Sequence, residues 1–215
     1  MKISFPSGTC IDTSQPLEQL MVHASEIDCS SHDLSKLPAF VNCPYLKKLV
    51  CSDNPIGHLV ISNCPLLTTV ECQNCDLESL QIDRCLKLKR LDCSRNRLTE
   101  LPVGLKLKFL DCSSNQLSEI PRMNRIRQLI CSNNRIVFLP AMKKLRELSC
   151  SKNQLSTLPH PNELRKMKYL DCSFNRLHGI AKYPKMKICD CFGNVIRRGS
   201  AAKIPGIVTN QFYHW

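Results

Sequence analysis

Apolar and polar positions alternate along this chain in short bursts, and the bursts recur. From Leu91 the residues run LDCSRNRLTELP, from Leu110 LDCSSNQLSEIP, from Leu129 LICSNNRIVFLP, from Leu148 LSCSKNQLSTLP and from Leu170 LDCSFNRLHGI. Weaker copies begin at Ile27, Leu49, Val70 and Cys189. One cysteine per copy falls at 29, 51, 72, 93, 112, 131, 150, 172 and 191, in steps of 22, 21, 21, 19, 19, 19, 22 and 19 residues. A period of this size marks a stacked repeat architecture, in which each copy buries its apolar face only against its neighbours. Within a copy, Leu88, Leu91 and Cys93 are expected to point inward from a short strand, and Leu98 and Leu101 to fill the opposite wall.

An asparagine column (Asn54, Asn96, Asn115, Asn134, Asn153, Asn175, Asn194) stands where the chain leaves each strand. A buried amide there satisfies backbone groups that the turn leaves unpaired. His32 and Cys75 occupy that column in two copies, and weaker local order is expected at both. Leu37-Pro38, Leu101-Pro102, Leu139-Pro140 and Leu158-Pro159 suit an extended opposite side, because proline fixes φ near the polyproline value. The longer copies carry a second cysteine column, Cys43, Cys64 and Cys85, each eight residues before a strand cysteine.

The pattern resembles the leucine-rich repeat, L-x-x-L-x-L-x-x-N/C-x-L, carried here as Leu88-Lys89-Arg90-Leu91-Asp92-Cys93-Ser94-Arg95-Asn96-Arg97-Leu98. The resemblance spans roughly residues 24–196, and its style is closest to short-repeat bacterial proteins of the effector or internalin-like kind. It implies an α/β-type repeat solenoid: a curved horseshoe with a short parallel concave sheet and a mostly extended or short-helical convex side. Residues 1–23 are expected to form an N-terminal cap, with a short helix in Gln15–Met21. Residues 24–194 form a solenoid of about nine repeats, and 195–215 a C-terminal cap or tail. Some pathogen ubiquitin ligases pair such repeats with a large catalytic domain. With 21 residues after Asn194, the expectation here is a solenoid acting alone.

Composition narrows the chemistry. There is no run of 18 apolar residues and no apolar stretch of signal-peptide length behind Met1-Lys2-Ile3. Of 15 cysteines, about 12 fall in the two periodic columns and read as small buried hydrophobes in a reducing compartment. The expected location is a reducing cytoplasm, with delivery into a host cytosol by a specialised secretion system as the effector-like variant. Cys72-Gln73-Asn74-Cys75 matches C-x-x-C, yet both cysteines stand in repeat columns and read as structural. The six histidines share no spacing, and neither a phosphate loop nor a nucleophile–base pair is evident. The chain is therefore expected to be non-catalytic, without metal or cofactor.

Charge adds one unexpected feature. The net charge is +12, and residues 122–215 carry 18 basic against 4 acidic side chains. In six consecutive copies both neighbours of the first apolar strand position are basic: Lys87/Lys89, Lys106/Lys108, Arg125/Arg127, Lys144/Arg146, Lys166/Lys168 and Lys185/Lys187. This rail reads either as a solvated edge copied by duplication or as a landing strip for an acidic partner. On the concave face, this register is expected to expose Phe109, Ile130, Tyr169, Phe174 and Ile188. They lie among Asp92, Asp111, Asp171 and Asp190, and Phe109 and Ile130 are expected to touch, as are Tyr169 and Ile188. The reading is a monomeric protein–protein recognition module, a bacterial host-directed effector or adaptor. Its partner is expected to carry an acidic patch. The alternative is a peripheral nucleic-acid or anionic-membrane binder using the rail.

Overall fold

A computed structural model describes residues 2–4, 10–12, 17–196 and 207–208. The chain divides into two compact units, Met1–Leu107 and Lys108–Trp215.

In the first unit the elements are β1 (Lys2–Ser4), β2 (Cys10–Asp12), α1 (Leu17–Leu20), β3 (Glu26–Asp28), β4 (Phe40–Val41), β5 (Lys48–Val50), β6 (His58–Ser62), β7 (Thr69–Glu71), β8 (Ser79–Asp83) and β9 (Arg90–Asp92). One strand per copy (β3, β5, β7, β9) pairs in parallel and in register, Ile27 beside Leu49, Leu49 beside Val70 and Val70 beside Leu91. β1 lies antiparallel between β2 and β3, placing Ile3 beside Ile27. The three longer copies add a second parallel sheet, β4-β6-β8, with Phe40 beside Ile61 and Ile61 beside Ile82. The core is closed between these two sheets, by Leu49, Val70 and Leu91 on one side and Phe40, Leu59, Ile61, Leu80 and Ile82 on the other.

The second sheet explains the second cysteine column. Asn42, Asn63 and Arg84, which directly follow β4, β6 and β8, adopt left-handed φ of 55, 53 and 50°. Cys43, Cys64 and Cys85 follow directly and turn inward, all buried. Asparagine tolerates this backbone better than most residues, which is the physical content of the Asn-Cys-Pro motif at 42–44 and 63–65.

The second unit contains β10 (Phe109–Asp111), β11 (Gln128–Ile130), β12 (Glu147–Ser149), β13 (Tyr169–Asp171), β14 (Ile188–Asp190) and β15 (Ile207–Val208). All pair in parallel, with Leu110, Leu129, Leu148, Leu170 and Cys189 aligned and buried. The side opposite these strands is extended, without helix among the described residues. It is filled by Ile120, Leu139, Met142 and Leu164, and by Tyr183, whose hydroxyl donates to Pro159 O at 2.9 Å.

The asparagines bind neighbouring copies together. Asn153 Nδ2 reaches Cys150 O (3.1 Å) and Ser151 O (3.2 Å) in its own copy and Cys131 O (2.9 Å) in the preceding one. Its Oδ1 accepts from Ile136 N of the preceding loop at 2.9 Å. Asn54 and Asn96 in the first unit, and Asn134, Asn175 and Asn194 in the second, repeat the arrangement. At Cys75 the expectation of a weaker turn meets a partial substitute: the thiol lies 3.2 Å from Cys51 O and 3.3 Å from Gln73 O. A thiol has no second donor and no carbonyl, so Ile56 N, deprived of an amide acceptor, turns to Asn54 O at 2.8 Å.

All fourteen cysteines whose side chains are described are buried. Burial pushes the Cys29 thiol up to about 12. Hydrogen bonding with Cys43, added to burial, pushes Cys64 up to about 11, and bonding with Cys172 pushes Cys189 up to about 12. These groups are neutral when protonated, so the stability they carry is complete below the ordinary thiol value of 9.0 and is lost as pH climbs through the raised values. Raising the pH from about 8 to about 10.5 should therefore lower the denaturant midpoint, each thiol contributing up to about 1.4 kcal/mol per pH unit in that window. A midpoint that does not move would show that the thiols are solvated. Alkylation should in parallel reach few thiols natively and nearly all after unfolding.

Candidate interaction surface

The outward strand positions differ between the two units. In the first they are Glu26/Asp28, Lys48/Val50, Thr69/Glu71 and Arg90/Asp92, a mixed polar surface in which Lys48 Nζ stands 3.8 Å from Glu71 Oε1. In the second unit apolar side chains reach the surface. Tyr169 and Ile188 are directly paired across β13 and β14 and are 39% and 46% exposed. Together with Ile130, Glu147, Ser149, Asp171 and Asp190 they line an open depression of about 270 Å³.

The other expected anchors stand elsewhere. Phe109 is half-buried and lies beside Gln128, while Ile130 lies between Asp111 and Ser149. Phe109 and Ile130 are thus diagonal neighbours and not directly opposed, because parallel in-register strands oppose like positions. Phe174 is 48% exposed but sits in the turn after β13, at a left-handed φ of 52°. Its ring packs edge-to-face on Phe192, centroids 5.1 Å apart, and covers Gly193, where a Cβ would meet it at 2.7 Å.

The aspartate column has a local task that sequence reading missed. Asp171 Oδ1 accepts from Ser173 N (3.1 Å) and Ser173 Oγ (2.7 Å). Asp28, Asp92 and Asp111 do the same for Ser30, Ser94 and Ser113, and Asp190 accepts from Phe192 N. One carboxylate oxygen therefore closes the turn at each strand exit, and the recurring Asp-Cys-Ser triplet was its signal. The second unit extends this across neighbouring copies: Ser149 Oγ donates to Asp171 Oδ2 at 3.1 Å and sits 2.9 Å from Ser132 Oγ, which Ser151 Oγ meets at 3.0 Å. Where valine replaces aspartate at position 50, the buried Ser52 hydroxyl has no partner. At Asp28 burial raises the carboxyl, and the Ser30 hydrogen bonds with Lys48 and His32 nearby outweigh it, leaving the group below the usual carboxylate value.

The basic rail divides with the units. Lys87, Lys89 and Lys106 are exposed on the first, around the buried Leu88 and Leu107. On the second, Lys108, Arg127, Arg146, Lys168 and Lys187 form one column joined by their own backbone: each amide donates to the carbonyl of the preceding member, at 2.9, 2.8, 2.7 and 2.8 Å. Arg125, Lys144, Lys166 and Lys185 form the outer column, beyond the buried Ile126, Leu145, Met167 and Met186. Among the described residues no ion pair involves a rail cation. Arg146, Lys166, Lys168 and Lys185 converge around a depression of about 210 Å³ that no acid lines.

Family models of leucine-rich repeats match residues 143–185, as two copies, and 87–106. No curated protein matches the chain. Among solved structures, a leucine-rich-repeat protein from Leptospira interrogans superposes with a TM-score of 0.73 at 25% identity, covering 82% of this chain and 50% of its own. The leucine-rich effector protein YopM from Yersinia pestis gives 0.73 at 21% identity, covering 88% and 61%. The functional domain of InlJ from Listeria monocytogenes, which includes a cysteine ladder, gives 0.59 at 25% identity, covering 84% and 46%. The chain thus spans about half the length of the first and third of these structures.

The turn-closing role of the aspartates has a direct test. Asp171→Ala should lower the denaturant midpoint by the equivalent of about 1–2 kcal/mol, since it strips acceptors from Ser173 and Ser149. Asp171→Asn, which keeps an Oδ1, should recover most of the loss. An alanine variant as stable as the parent would return the column to a purely surface role.

Proposed function

Because the chain carries leucine-rich repeats, a fold whose members generally act as non-catalytic interaction modules, we propose that it is a protein-recognition module whose working surface is the strand face of its second unit. The observation that carries this reading is the exposed Tyr169–Ile188 pair in an open depression edged by Glu147, Asp171 and Asp190. Large apolar side chains on a strand face do not serve the core, and apolar anchors ringed by polar groups are the usual composition of a hot spot. The basic rail beside them favours a partner with an acidic patch. A bacterial effector or adaptor role in a reducing cytosol is the setting we propose, supported by the bacterial proteins of like fold and by the buried thiols.

A second reading uses the rail alone, as a peripheral binder of nucleic acid or anionic membrane. Its specific support is the five-membered backbone-joined column of cations. Binding that falls steeply and equally for heparin, DNA and anionic vesicles as salt rises would favour it.

The experiment is a photo-crosslinker placed at Gln128, in the depression, with a control at the exposed Val137 on the opposite side. The first should capture a discrete protein that the second does not. Tyr169→Ala or Ile188→Ala should then weaken binding of that protein by about 2 kcal/mol, roughly thirtyfold. Thermal stability should stay within about 0.5 kcal/mol of the parent, because both side chains point away from the core. Variants that are stable and bind normally would remove the strand face from consideration.

A further inference from the structure

The depression among Arg146, Lys166, Lys168 and Lys185 adjoins the apolar patch through the chain itself: Arg146 precedes Glu147 and Lys168 precedes Tyr169, and both following residues line the patch. We propose that it is a phosphoryl subsite, receiving a phosphomonoester on the segment of the protein partner that lies against Tyr169 and Ile188. This rests on the strand-face reading above and names the chemistry that the partner brings to it.

Three observations carry it. The first is charge without compensation. Four cations from neighbouring copies line one hollow, no acid lines it, and no ion pair involves them among the described residues. Neighbouring repeats hold such charges about one strand spacing apart, near 4.8 Å, where they repel at every separation and in any solvent. The second is rigidity. Arg146 and Lys168 belong to the backbone-joined column, Lys168 N donating to Arg146 O at 2.7 Å, and Met167 and Leu145 anchor the flanking positions in the core. The bases of these side chains are therefore fixed before any ligand arrives.

The third is stoichiometry of charge and donors. A carboxylate brings one negative charge and two oxygens, leaving most of the four cations unmatched. A phosphomonoester brings a charge of about −1.5 to −2 and three strong acceptor oxygens, enough to take the forked guanidinium of Arg146 and two ammonium groups together. Extended nucleic acid or a membrane would engage the whole rail alike and has no need of a hollow at one place on it.

The test is isothermal titration of phenyl phosphate into the full chain at fixed ionic strength, with benzoate as the carboxylate comparison. Phenyl phosphate should bind saturably, and benzoate at least about tenfold more weakly. The double variant Lys166→Gln with Lys185→Gln should weaken phenyl phosphate at least about tenfold, and Arg146→Lys several-fold through loss of the planar fork. Lys87→Gln with Lys89→Gln, at the corresponding repeat positions of the first unit, should leave it unchanged. Equal binding of both anions, or equal loss in the 87/89 variant, would overturn the subsite in favour of a diffuse cationic surface. Binding to phosphatidylserine vesicles or DNA that depends on Lys87 and Lys89 as strongly as on Lys166 and Lys185 would overturn it in favour of a membrane or nucleic-acid surface. Crosslinking from Gln128 needs no phosphate, so its survival in the Lys166/Lys185 variant separates failure of this inference from failure of the strand-face reading.

Discussion

Everything on the surface of each unit depends on one buried interaction, the asparagine amide that ties a copy to the copy before it. At Asn153, Asn175 and Asn194 the Nδ2 group spans carbonyls of two successive strand exits while Oδ1 holds the preceding loop. An amide is suited to this because it offers two donors and an acceptor from one planar group. With a strand of only three residues, ladder hydrogen bonds alone leave each exit short of partners. The amide supplies them from within the core, where water does not reach.

That tie sets the register, and the register sets the faces. Like positions stack on like, so leucine meets leucine and cysteine meets cysteine inside, while outside every repeated polar residue becomes a column. The same rule produces the closed aspartate turns, the serine network beneath Asp171 and the continuous row from Lys108 to Lys187. It also makes departures visible. Val50 leaves Ser52 without a partner, Cys75 replaces an amide with a single thiol, and Tyr169 and Ile188 break a polar face with adjacent apolar side chains. The last of these has no role in the core, which is why the proposed recognition surface is centred on it.

Much of this was legible in the sequence because periodicity converts position into environment. The strand cysteines, the asparagine column and the alternation around Leu110, Leu129 and Leu148 identified the buried set directly. The sheet of β4, β6 and β8 was not legible: His58-Leu59-Val60-Ile61-Ser62 alternates as a strand, but in a repeat the extra residues read only as a longer connection. Site geometry was legible in part. Sequence gives the face on which Phe109 and Ile130 emerge, whereas their diagonal placement follows from register, which no single copy reveals. The aspartates were visible as a column, but their service to Ser30, Ser94, Ser113 and Ser173 lay in a spacing of two that the search for binding groups passed over.

The amide column is the element that holds neighbouring copies in place, and amide hydrogen exchange in Asn153→Ala reads this most directly. The substitution removes the acceptor from Ile136 N and the donor from Cys131 O and Cys150 O, all interior groups, at a cost of about 3 kcal/mol or more. Protection should fall most at Ile136 N and in the adjoining strands β11 and β12, and least at strands several copies away. Exchange at Ile136 N as slow as in the parent would contradict the account.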